Sequence, residues 1–490
     1  MADLPGHMGR YRVELDLASS PGLQQFYDFQ WRLIGNLGVD LLVIPLAKLF
    51  GLELAVKLIV MAIPPLTVTG FLLIAQEVHG RLPPTAALAL PLAYGYPFQF
   101  GFINFALSMA LTFLAFALWL KLTRARRLAV RNCIFVPLSV IIWTTHVFGW
   151  GVLGLLVFAA ELTRLRGEGK RWTDAAFHGS LNCLPLAPPL LLMLMWRSGE
   201  VTGSTGDWFN WPAKIGYFAM MLLDRWRILD LFSVAVLAVT VYAAARDRET
   251  GFSRTIGIGA LLLLAAYVFL PRVLIGSAYA DMRLAPFVMA VALLAIRFAP
   301  ACQQRHLQLV AVGALAFFLV RTTATTISFW LYDRDYDREL AAVPHIPEHA
   351  RLVSFVGTTC NFPYWGLTKM EHLPSLALVR RGAYANDQWI MPGAQLLGTR
   401  HQEAGWFSRD PSQLTSREAC KHEAWLTLND ALDRLPRSAF DYLWLINPPP
   451  FDRTKLDGLE MIWRDGNSAL FRIPQRANTA FANGAKDDQP

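Results

Sequence analysis

Charged residues are scarce in this sequence. Asp, Glu, Lys and Arg make up 17% of the 490 residues, 54% are hydrophobic, and the mean hydropathy is +0.34. Soluble domains normally carry more charge than this, so the composition excludes an ordinary soluble protein and predicts a membrane protein. The net charge of +8 then reflects basic loops beside anionic lipid, and nucleic-acid binding is not expected.

Several motifs with known chemistry are absent. The sequence contains no P-loop, GxGxxG fingerprint, HExxH pair, CxxC pair or internal repeat, so no motif points to nucleotide binding or zinc-dependent hydrolysis. No basic flank with an apolar core follows Met1, so no cleavable signal peptide is expected. Because ionisable residues begin at Asp3, we expect the reading frame to start upstream and to include a first membrane span.

Cysteine is rare, with five residues in the chain. Cys133 and Cys183 fall in apolar segments and Cys302 lies near a basic turn. Only Cys360 and Cys420 share the polar C-terminal part. In an oxidising compartment these two could form one disulfide, although the sequence contains no information on their geometry.

Apolar segments are abundant. About ten are candidate membrane spans, or eleven with the expected first span, and several are shorter than the roughly 20 residues that cross a hydrocarbon core. The predicted spans are 54–75, 85–98, 102–120, 133–145, 147–160, 177–196, 229–245, 256–270, 284–296 and 307–330.

Lysine and arginine concentrate in alternate loops, which predicts that these loops are cytoplasmic. The alternation is consistent only if the segment 31–50 does not cross the membrane. Arg32, Asn36 and Asp40 form a polar stripe there, so we expect an amphipathic helix lying on the outer surface. The basic loops are 121–131, 164–171, 246–254 and 297–305.

These patterns divide the chain into four regions. Residues 1–51 are predicted to be an external loop with juxtamembrane helices, and 52–331 an α-helical polytopic membrane domain. Residues 332–474 should form a small soluble external α/β domain with a helix around 413–434, and 475–490 a disordered tail. The predicted strands of the soluble domain are 351–356, 441–446, 459–463 and 469–473.

The first residues concentrate ionisable side chains beside the membrane. If Asp3 caps a helix, then Asp3, His7, Arg10 and Glu14 share one helical face. Such a polar ridge, with Arg12 nearby, would face one cavity. The alternative is that Asp3 is only a helix cap and the rest is a solvated helix.

Four further polar residues lie near the predicted external ends of spans, where a buried charge is costly. They are Asn104, His146, Asp281 and Arg283. Each has a structural alternative: His146 as a hydrogen-bonded turn residue, Asp281 as a cap and Arg283 as a snorkelling side chain. Their convergence on one side of an apolar scaffold favours a lined external cavity.

With these residues placed, the chain resembles the GT-C membrane glycosyltransferases that use polyprenyl-phosphate sugars. The stretch from 36–40 through 48–55 is similar to the family's second juxtamembrane helix and the entry to the next span. Residues 145–149 are similar to an external turn of the family. Residues 280–284 are similar to a turn with an acidic and a basic residue that precedes a late span. The resemblance implies an inverting glycosyltransferase of the bacterial inner membrane, with a periplasmic C-terminal domain. It also implies a polyprenyl-phosphate sugar donor and an external glycan, lipid or protein acceptor.

The resemblance further implies that the acidic residue of the first external loop, here Asp3, acts as the general base or helps to hold a metal. A divalent metal is therefore a candidate cofactor, and Asp3, His7 and Asp40 would provide only a small number of hard ligands for it. Cationic groups would stabilise the departing phosphate. The residues expected to bind substrate are His7, Arg10, Arg12, Asn36, Asp40, Asn104, His146, Asp281 and Arg283.

The alternative function is a transporter or lipid-carrier flippase without catalysis. Transporters usually show paired halves and broken helices near the midplane. This sequence shows neither, and its polar residues cluster on one face. We therefore expect an enzyme.

Overall fold

The computed structural model describes residues 1–197, 204–274, 276–360, 365, 369–391, 395–421 and 423–474. The tail 475–490, for which we predicted disorder, lies outside these residues. The α-helices are α1 (Leu4–Asp16), α2 (Pro21–Phe26), α3 (Gly38–Phe50), α4 (Leu52–His79), α5 (Ala86–Ala89), α6 (Tyr96–Phe100), α7 (Ile103–Arg124), α8 (Leu128–Thr145), α9 (Val147–Gly167), α10 (Trp172–Asn182), α11 (Pro188–Arg197), α12 (Trp211–Ala219), α13 (Arg227–Arg246), α14 (Arg254–Phe269), α15 (Ala285–Ala295), α16 (Gln304–Leu340), α17 (Ser375–Arg381) and α18 (Leu428–Arg434). The strands are β1 (Tyr27–Phe29), β2 (Thr250–Phe252), β3 (Ile296–Phe298), β4 (Leu352–Gly357), β5 (Leu397–Thr399), β6 (Leu414–Ser416), β7 (Leu426–Thr427), β8 (Tyr442–Ile446), β9 (Glu460–Asp465) and β10 (Ser468–Arg472).

Long apolar helices make up most of the chain before the C-terminal sheet. Among the described residues, six are long and apolar enough to cross a membrane, namely α4, α7, α8, α9, α13 and α16. The bent pair α10 and α11 adds a seventh span if it counts as one, and the apolar helices α14 and α15 are shorter. Each predicted span except 85–98 therefore coincides with an apolar helix or with the bent pair.

The segment 85–98 does not form the predicted span. It is divided into α5, a 3₁₀ turn at Leu90–Tyr94 and the start of α6. Pro91 and Pro97 lack a backbone N–H, and Gly95 has an extended ψ of 172° between the turn and α6, so one continuous helix cannot form. The prediction of a span is wrong here, and the broken segment leads directly into the turn on which the N-terminus rests.

The amphipathic helix predicted over 31–50 begins only at Gly38. Backbone groups of residues 35–37 bond to the facing ends of α7, α8 and α9. These backbone groups already have hydrogen-bond partners in other helices, so they cannot also make the hydrogen bonds of an α-helix. Arg32 and Asn36 therefore lie outside the helix, and the predicted polar stripe does not form.

The C-terminal part contains a six-stranded sheet in the order β7-β6-β4-β8-β10-β9. The first four strands of this order run parallel to their neighbours, whereas β10 pairs antiparallel with both β8 and β9. The four strands expected from the sequence are confirmed as β4, β8, β9 and β10. The helix expected around 413–434 is wrong in its first part, since β6 and β7 occupy it and only α18 is helical. Pairing with β4 overrides local helix propensity.

Cys360 and Cys420 form a disulfide, as the sequence suggested. Cys360 lies shortly after β4 and Cys420 shortly after β6, so the bond joins the loops that follow two neighbouring parallel strands. The bridged residues are 60 apart in sequence. The bond therefore restricts a long stretch of chain in the unfolded state.

We expect Cys360→Ser to lower the melting temperature of the detergent-purified chain, because losing a disulfide from a small domain costs about 2–5 kcal/mol. Cys133→Ser is the matched control, since that thiol is free and exposed. The measurement is thermal unfolding with and without a reductant. A wild-type melting curve that does not respond to the reductant would contradict the prediction.

The N-terminal segment packs against the C-terminal one. β1 pairs antiparallel with β5, with Tyr27 opposite Thr399, and α1 lies on α17. Gly9 permits this close approach, because a Cβ atom there would lie 2.6 Å from Nε2 of Gln388 and 3.2 Å from Cβ of Ser375. The two polar regions therefore occupy the same side of the helical region.

Candidate functional site

Asp3 stands immediately before α1, in the position of a helix cap, but its side chain makes no capping hydrogen bond. Its backbone N–H donates to the carbonyl of Phe100 at 2.8 Å, and the residue is only 6% exposed. Gly101 has a φ of +117°, and a Cβ atom there would lie 2.8 Å from Cβ of Asp3. This turn therefore holds Asp3 in a buried position with a carboxylate that the helix does not use, so the interpretation of Asp3 as a mere cap is excluded.

Three ionisable residues of the C-terminal region face Asp3. Nε2 of His372 lies 4.0 Å from Oδ1 of Asp3 and 3.8 Å from Oδ1 of Asp410, and Glu371 places a carboxylate oxygen within 4.8 Å of the Asp3 and His372 ligand atoms. Burial raises the pKa of Asp3 well above its ordinary value, and the charge of Asp410 raises this pKa further. Burial likewise raises the pKa of Glu371, as does the charge of Asp3. The cluster thus crowds three carboxyl groups around one imidazole.

Neighbouring groups fix the His372 ring. Its Nδ1 lies 2.8 Å from the backbone carbonyl of Asp387, and the ring centroid lies 4.2 Å from that of Trp389. The Asp387 carboxylate in turn accepts hydrogen bonds from the N–H and Oγ of Ser375 at 2.9 and 2.8 Å. On the facing side, a Cβ atom on Gly6 would lie 2.7 Å from the Trp389 ring and 3.1 Å from Nδ1 of His372, so glycine lets α1 approach both rings closely.

Arg283 carries a positive charge beside Asp3. Its guanidinium is buried, donates to Oγ of Ser277 at 2.9 Å and to the carbonyl of Ala278 at 3.2 Å, and stacks 4.1 Å from the Phe102 ring. Its charge lowers the pKa of Asp3 against the effect of burial. The buried Nε has no hydrogen-bond partner within the described part of the chain. Arg283 can therefore still donate to an anion.

Lys369 supplies a second buried cation. Its Nζ lies 3.2 Å from Oε1 of Gln99, 3.7 Å from Oδ1 of Asp224 and 4.0 Å from the Tyr332 ring centroid. The backbone carbonyl of the same Gln99 accepts from the N–H of Ala2, which places Lys369 close to the chain that carries Asp3. Burial lowers the pKa of Lys369 to about 8.

Arg10, Asp40 and Asn104 form a separate buried network. Arg10 pairs with Asp40 at 2.7 Å and donates to Oε1 of Gln395 at 2.9 Å. Asn104 donates to Asp40 at 3.0 Å and accepts from the N–H of Val39 at 2.6 Å. These contacts join α1, α3 and α7. Asp40 is thus committed to Arg10 and Asn104, and no metal-ligand group of the described residues combines it with Asp3 and His7.

Other residues of the N-terminal region are only partly associated with the site. His7 packs 5.0 Å from the Trp389 ring, and its buried Nδ1 has no hydrogen-bond partner among the residues that the structure describes. Asn36 contributes its backbone carbonyl to Asn104. Arg12 pairs with Asp16.

The two remaining predicted residues hold secondary structure in place. Nδ1 of His146 accepts from the N–H of Phe148 at 3.2 Å and so caps α9. Asp281 accepts from Met282 at 2.9 Å and pairs with buried Lys214 at 2.8 Å. His146 is therefore a hydrogen-bonded turn residue and Asp281 a capping residue, as the structural alternatives for these two residues proposed.

Sequence reasoning did not select Glu371, His372, Lys369 or Asp410. They are more than 360 positions from Asp3, and α1 must pack on α17 before they meet. The local signal was the concentration of ionisable residues at 369–372, far from any predicted span.

Glu14 should make stability fall with rising pH. Both carboxylate oxygens are buried without a hydrogen-bond partner among the described residues, and burial together with the charge of Asp40 raises its pKa from 4.5 to about 8. The folded state therefore binds this proton more tightly than the unfolded state, and the stabilisation is lost as the pH rises through about 8. We expect Glu14→Gln to lessen the fall in melting temperature between acid and alkaline buffer, whereas exposed Glu348→Gln should follow the wild type; equal curves for all three proteins would refute the assignment.

The comparisons with known proteins point to one architecture. No protein-family model and no curated protein matches the sequence. Two crystal structures of ArnT from Cupriavidus metallidurans, one bound to undecaprenyl phosphate and one in the apo state, are similar to the chain. They are 13% and 14% identical to it, the matches cover 96% of this chain and 93% of that one, and both TM-scores are 0.50. The chain therefore has the fold of these ArnT structures.

The fold that the sequence-based resemblance implied is thereby confirmed. At this level of identity the likeness shows the fold alone, and the chemistry depends on the side chains around Asp3.

Proposed function

We propose that this chain is a membrane glycosyltransferase that moves a sugar, with inversion, from a polyprenyl-phosphate carrier to the hydroxyl of an acceptor. The observation that carries the proposal is the Asp3 carboxylate, which is buried, unused by its helix and flanked by the cation of Arg283. The GT-C architecture supports the donor class, because one of the similar ArnT structures is bound to undecaprenyl phosphate.

The reaction requires two complementary groups. The acceptor hydroxyl oxygen attacks the anomeric carbon of the donor, a new C–O bond forms, and the bond between that carbon and the phosphate oxygen breaks. The hydroxyl proton passes to a carboxylate, for which we assign Asp3, and the lipid phosphate leaves with the bonding electron pair. Attack opposite to the departing phosphate inverts the anomeric configuration.

Arg283 and Lys369 are assigned to the phosphate. A fixed positive charge where negative charge develops lowers the barrier without reorganising at the moment of reaction. Arg283 is held by Ser277 and Ala278, and its Nε has no hydrogen-bond partner among the residues that the structure describes. Lys369 is held by Gln99, on the chain segment that also supports Asp3.

We place this site at the external face of an inner membrane, with the residues that follow α16 in the periplasm. The disulfide between Cys360 and Cys420 supports this orientation, since structural disulfides persist in oxidising compartments. The basic loops 121–131 and 164–171 would then face the cytoplasm.

The test is donor turnover by the full chain in liposomes. The probes are undecaprenyl-phosphate mannose, glucose and aminoarabinose, supplied with a membrane extract as the acceptor source. We expect mass spectrometry to show loss of one donor and equimolar formation of undecaprenyl phosphate. Movement of intact donor between leaflets without its conversion would favour a flippase and overturn the proposal.

A further inference from the structure

The C-terminal region contains a cavity of about 530 Å³, and none of its lining residues belongs to the cluster around Asp3. One wall is the segment 403–407, which follows β5. The other wall is formed around β7 and the end of α18 by Ala424, Leu426, Arg434 and Pro436. Small-molecule sites typically have volumes of roughly 300–1,000 Å³. The cavity therefore has the size of a site for a small ligand.

Two aromatic side chains line the cavity in different ways. Phe407 is buried and packs against Phe355 of β4, with 5.7 Å between the ring centroids. Trp406 is 53% exposed and stacks on no ring of the residues that the structure describes. The turn before it requires Gly405, whose φ of +56° and ψ of −123° are readily adopted only by glycine. The turn therefore presents a large apolar ring at the cavity, and a bound molecule would remove that ring from water.

The cavity also has one charged side chain of each sign. Glu403 and Arg434 belong to different walls, and both are exposed. Neither forms a hydrogen bond or an ion pair with a residue in the described part of the chain. Their charges cancel, so the site favours a neutral ligand. A carboxylate only accepts hydrogen bonds and a guanidinium only donates them, so the pair suits ligand groups that do both, as hydroxyls do.

A sugar has both properties that the cavity requires. One face of a pyranose ring carries C–H groups that can stack on an indole ring, and its rim carries hydroxyls that donate and accept hydrogen bonds. A lipid surface fits less well, because anionic headgroups would repel Glu403. A protein partner also fits less well, since stable protein interfaces bury about 1,200–2,000 Å² of broad surface. The chemistry of the cavity therefore favours a neutral saccharide.

The cavity is continuous in sequence with the cluster around Asp3. Asp410 lies 3.8 Å from Nε2 of His372, and Phe407 precedes Asp410 by three residues. Because a chain extends at most about 3.6 Å per residue, the Cα atoms of Phe407 and Asp410 lie within about 11 Å of each other. A sugar in the cavity would therefore be held beside the segment that supplies Asp410 to the cluster.

We propose that this cavity binds a neutral sugar residue of the acceptor glycan. Trp406 stacks on the sugar ring, and Glu403 and Arg434 form hydrogen bonds with its hydroxyls. The assignment to the acceptor rests on the proposed transferase function, whereas the binding of a saccharide does not. Among glycan, lipid and protein acceptors, the proposal selects a glycan. Trp406 is a positioning residue, because it holds the acceptor without touching the reacting atoms.

The experiment measures saccharide binding without any sugar donor. The full chain in phosphatidylcholine nanodiscs is titrated with cellotriose, mannotriose and triacetylchitotriose, and binding is followed by saturation-transfer difference NMR. We expect saturation of the ring C–H protons of at least one trisaccharide. Trp406→Ala should weaken this binding by about tenfold or more, because both the stacking and the apolar contact are lost, and Trp406→Phe should retain part of it.

Trp172→Ala is the matched control for Trp406→Ala. Trp172 is 57% exposed and lies at the start of α10, outside the cavity, so its loss should leave the titration unchanged. Melting curves and gel filtration confirm that the variants are folded. The proposal is overturned if none of the three trisaccharides binds the wild type, or if both alanine variants bind equally well. It is also overturned if brominated lipids quench fluorescence that Trp406→Phe removes, because lipid would then cover the ring.

Failure of this proposal is distinguishable from failure of the transferase. In the donor assay, Trp406→Ala should raise the apparent KM for the membrane extract by about tenfold and leave kcat within about twofold. Saccharide binding that depends on Trp406 in a chain that consumes no donor upholds the sugar site and counts against the transferase. Donor turnover with an unchanged KM in Trp406→Ala refutes the acceptor subsite and leaves the transferase.

Discussion

Asp3→Asn is expected to reduce sugar transfer by about 10²–10⁴-fold, the range that a positioned proton acceptor contributes. Asparagine keeps the size of the side chain and removes its ability to accept the hydroxyl proton. The backbone N–H of Asp3 still donates to Phe100, so the turn at Gly101 should be preserved. The measurement is the initial rate of undecaprenyl phosphate release in liposomes, at equal amounts of folded protein.

Asp16→Asn is the control for that substitution. Asp16 lies on the same helix but is half-exposed and pairs with Arg12, so its loss should leave the rate unchanged. A rate within twofold of the wild type for Asp3→Asn would remove Asp3 from the mechanism.

Arg283→Gln is expected to lower kcat/KM by about 10²–10³-fold, the loss seen when one preorganised stabilising group is removed. The wild-type guanidinium is fixed on Ser277, Ala278 and the Phe102 ring, so its charge is in place before the phosphate departs. Arg283→Lys keeps the charge but not the planar donor geometry. Its activity should fall between those of the glutamine variant and the wild type.

Arg338→Gln serves as the control for Arg283. The Arg338 side chain is 66% exposed and pairs with Asp335 on the same helix, so its removal should leave kcat/KM unchanged. Equal losses in both variants would indicate a general effect of charge on the membrane protein. In that case the assignment of Arg283 to the phosphate would be withdrawn.

Local sequence patterns predicted many of the helices and strands. Nine of the ten apolar segments became helices or the bent pair because an apolar run of that length satisfies its backbone bonds internally. Four of the six strands of the C-terminal sheet, β4, β8, β9 and β10, were predicted from the sequence. The failures have both local and tertiary causes. Prolines divide 85–98, and tertiary pairing replaces a helix with β6 and β7.

The site was predictable only in part, because half of it is remote in sequence. The spacing of Asp3, His7, Arg10 and Glu14 predicted a helix, which the structure confirms as α1, and the sequence also named Arg283. The same spacing could not show that Arg10 would be neutralised by Asp40. That pairing depends on how α3 packs against α1.

The sequence by itself determined that this chain is an apolar helical protein with a mixed α/β end, since composition and periodicity govern which segments leave water and which backbone pattern they adopt. Only the tertiary structure decided what surrounds Asp3. Gly6, Gly9 and Gly101 let backbones approach closely enough to bring His372 and its neighbours to the carboxylate. Such proximity depends on three-dimensional packing between distant segments, which no local pattern encodes.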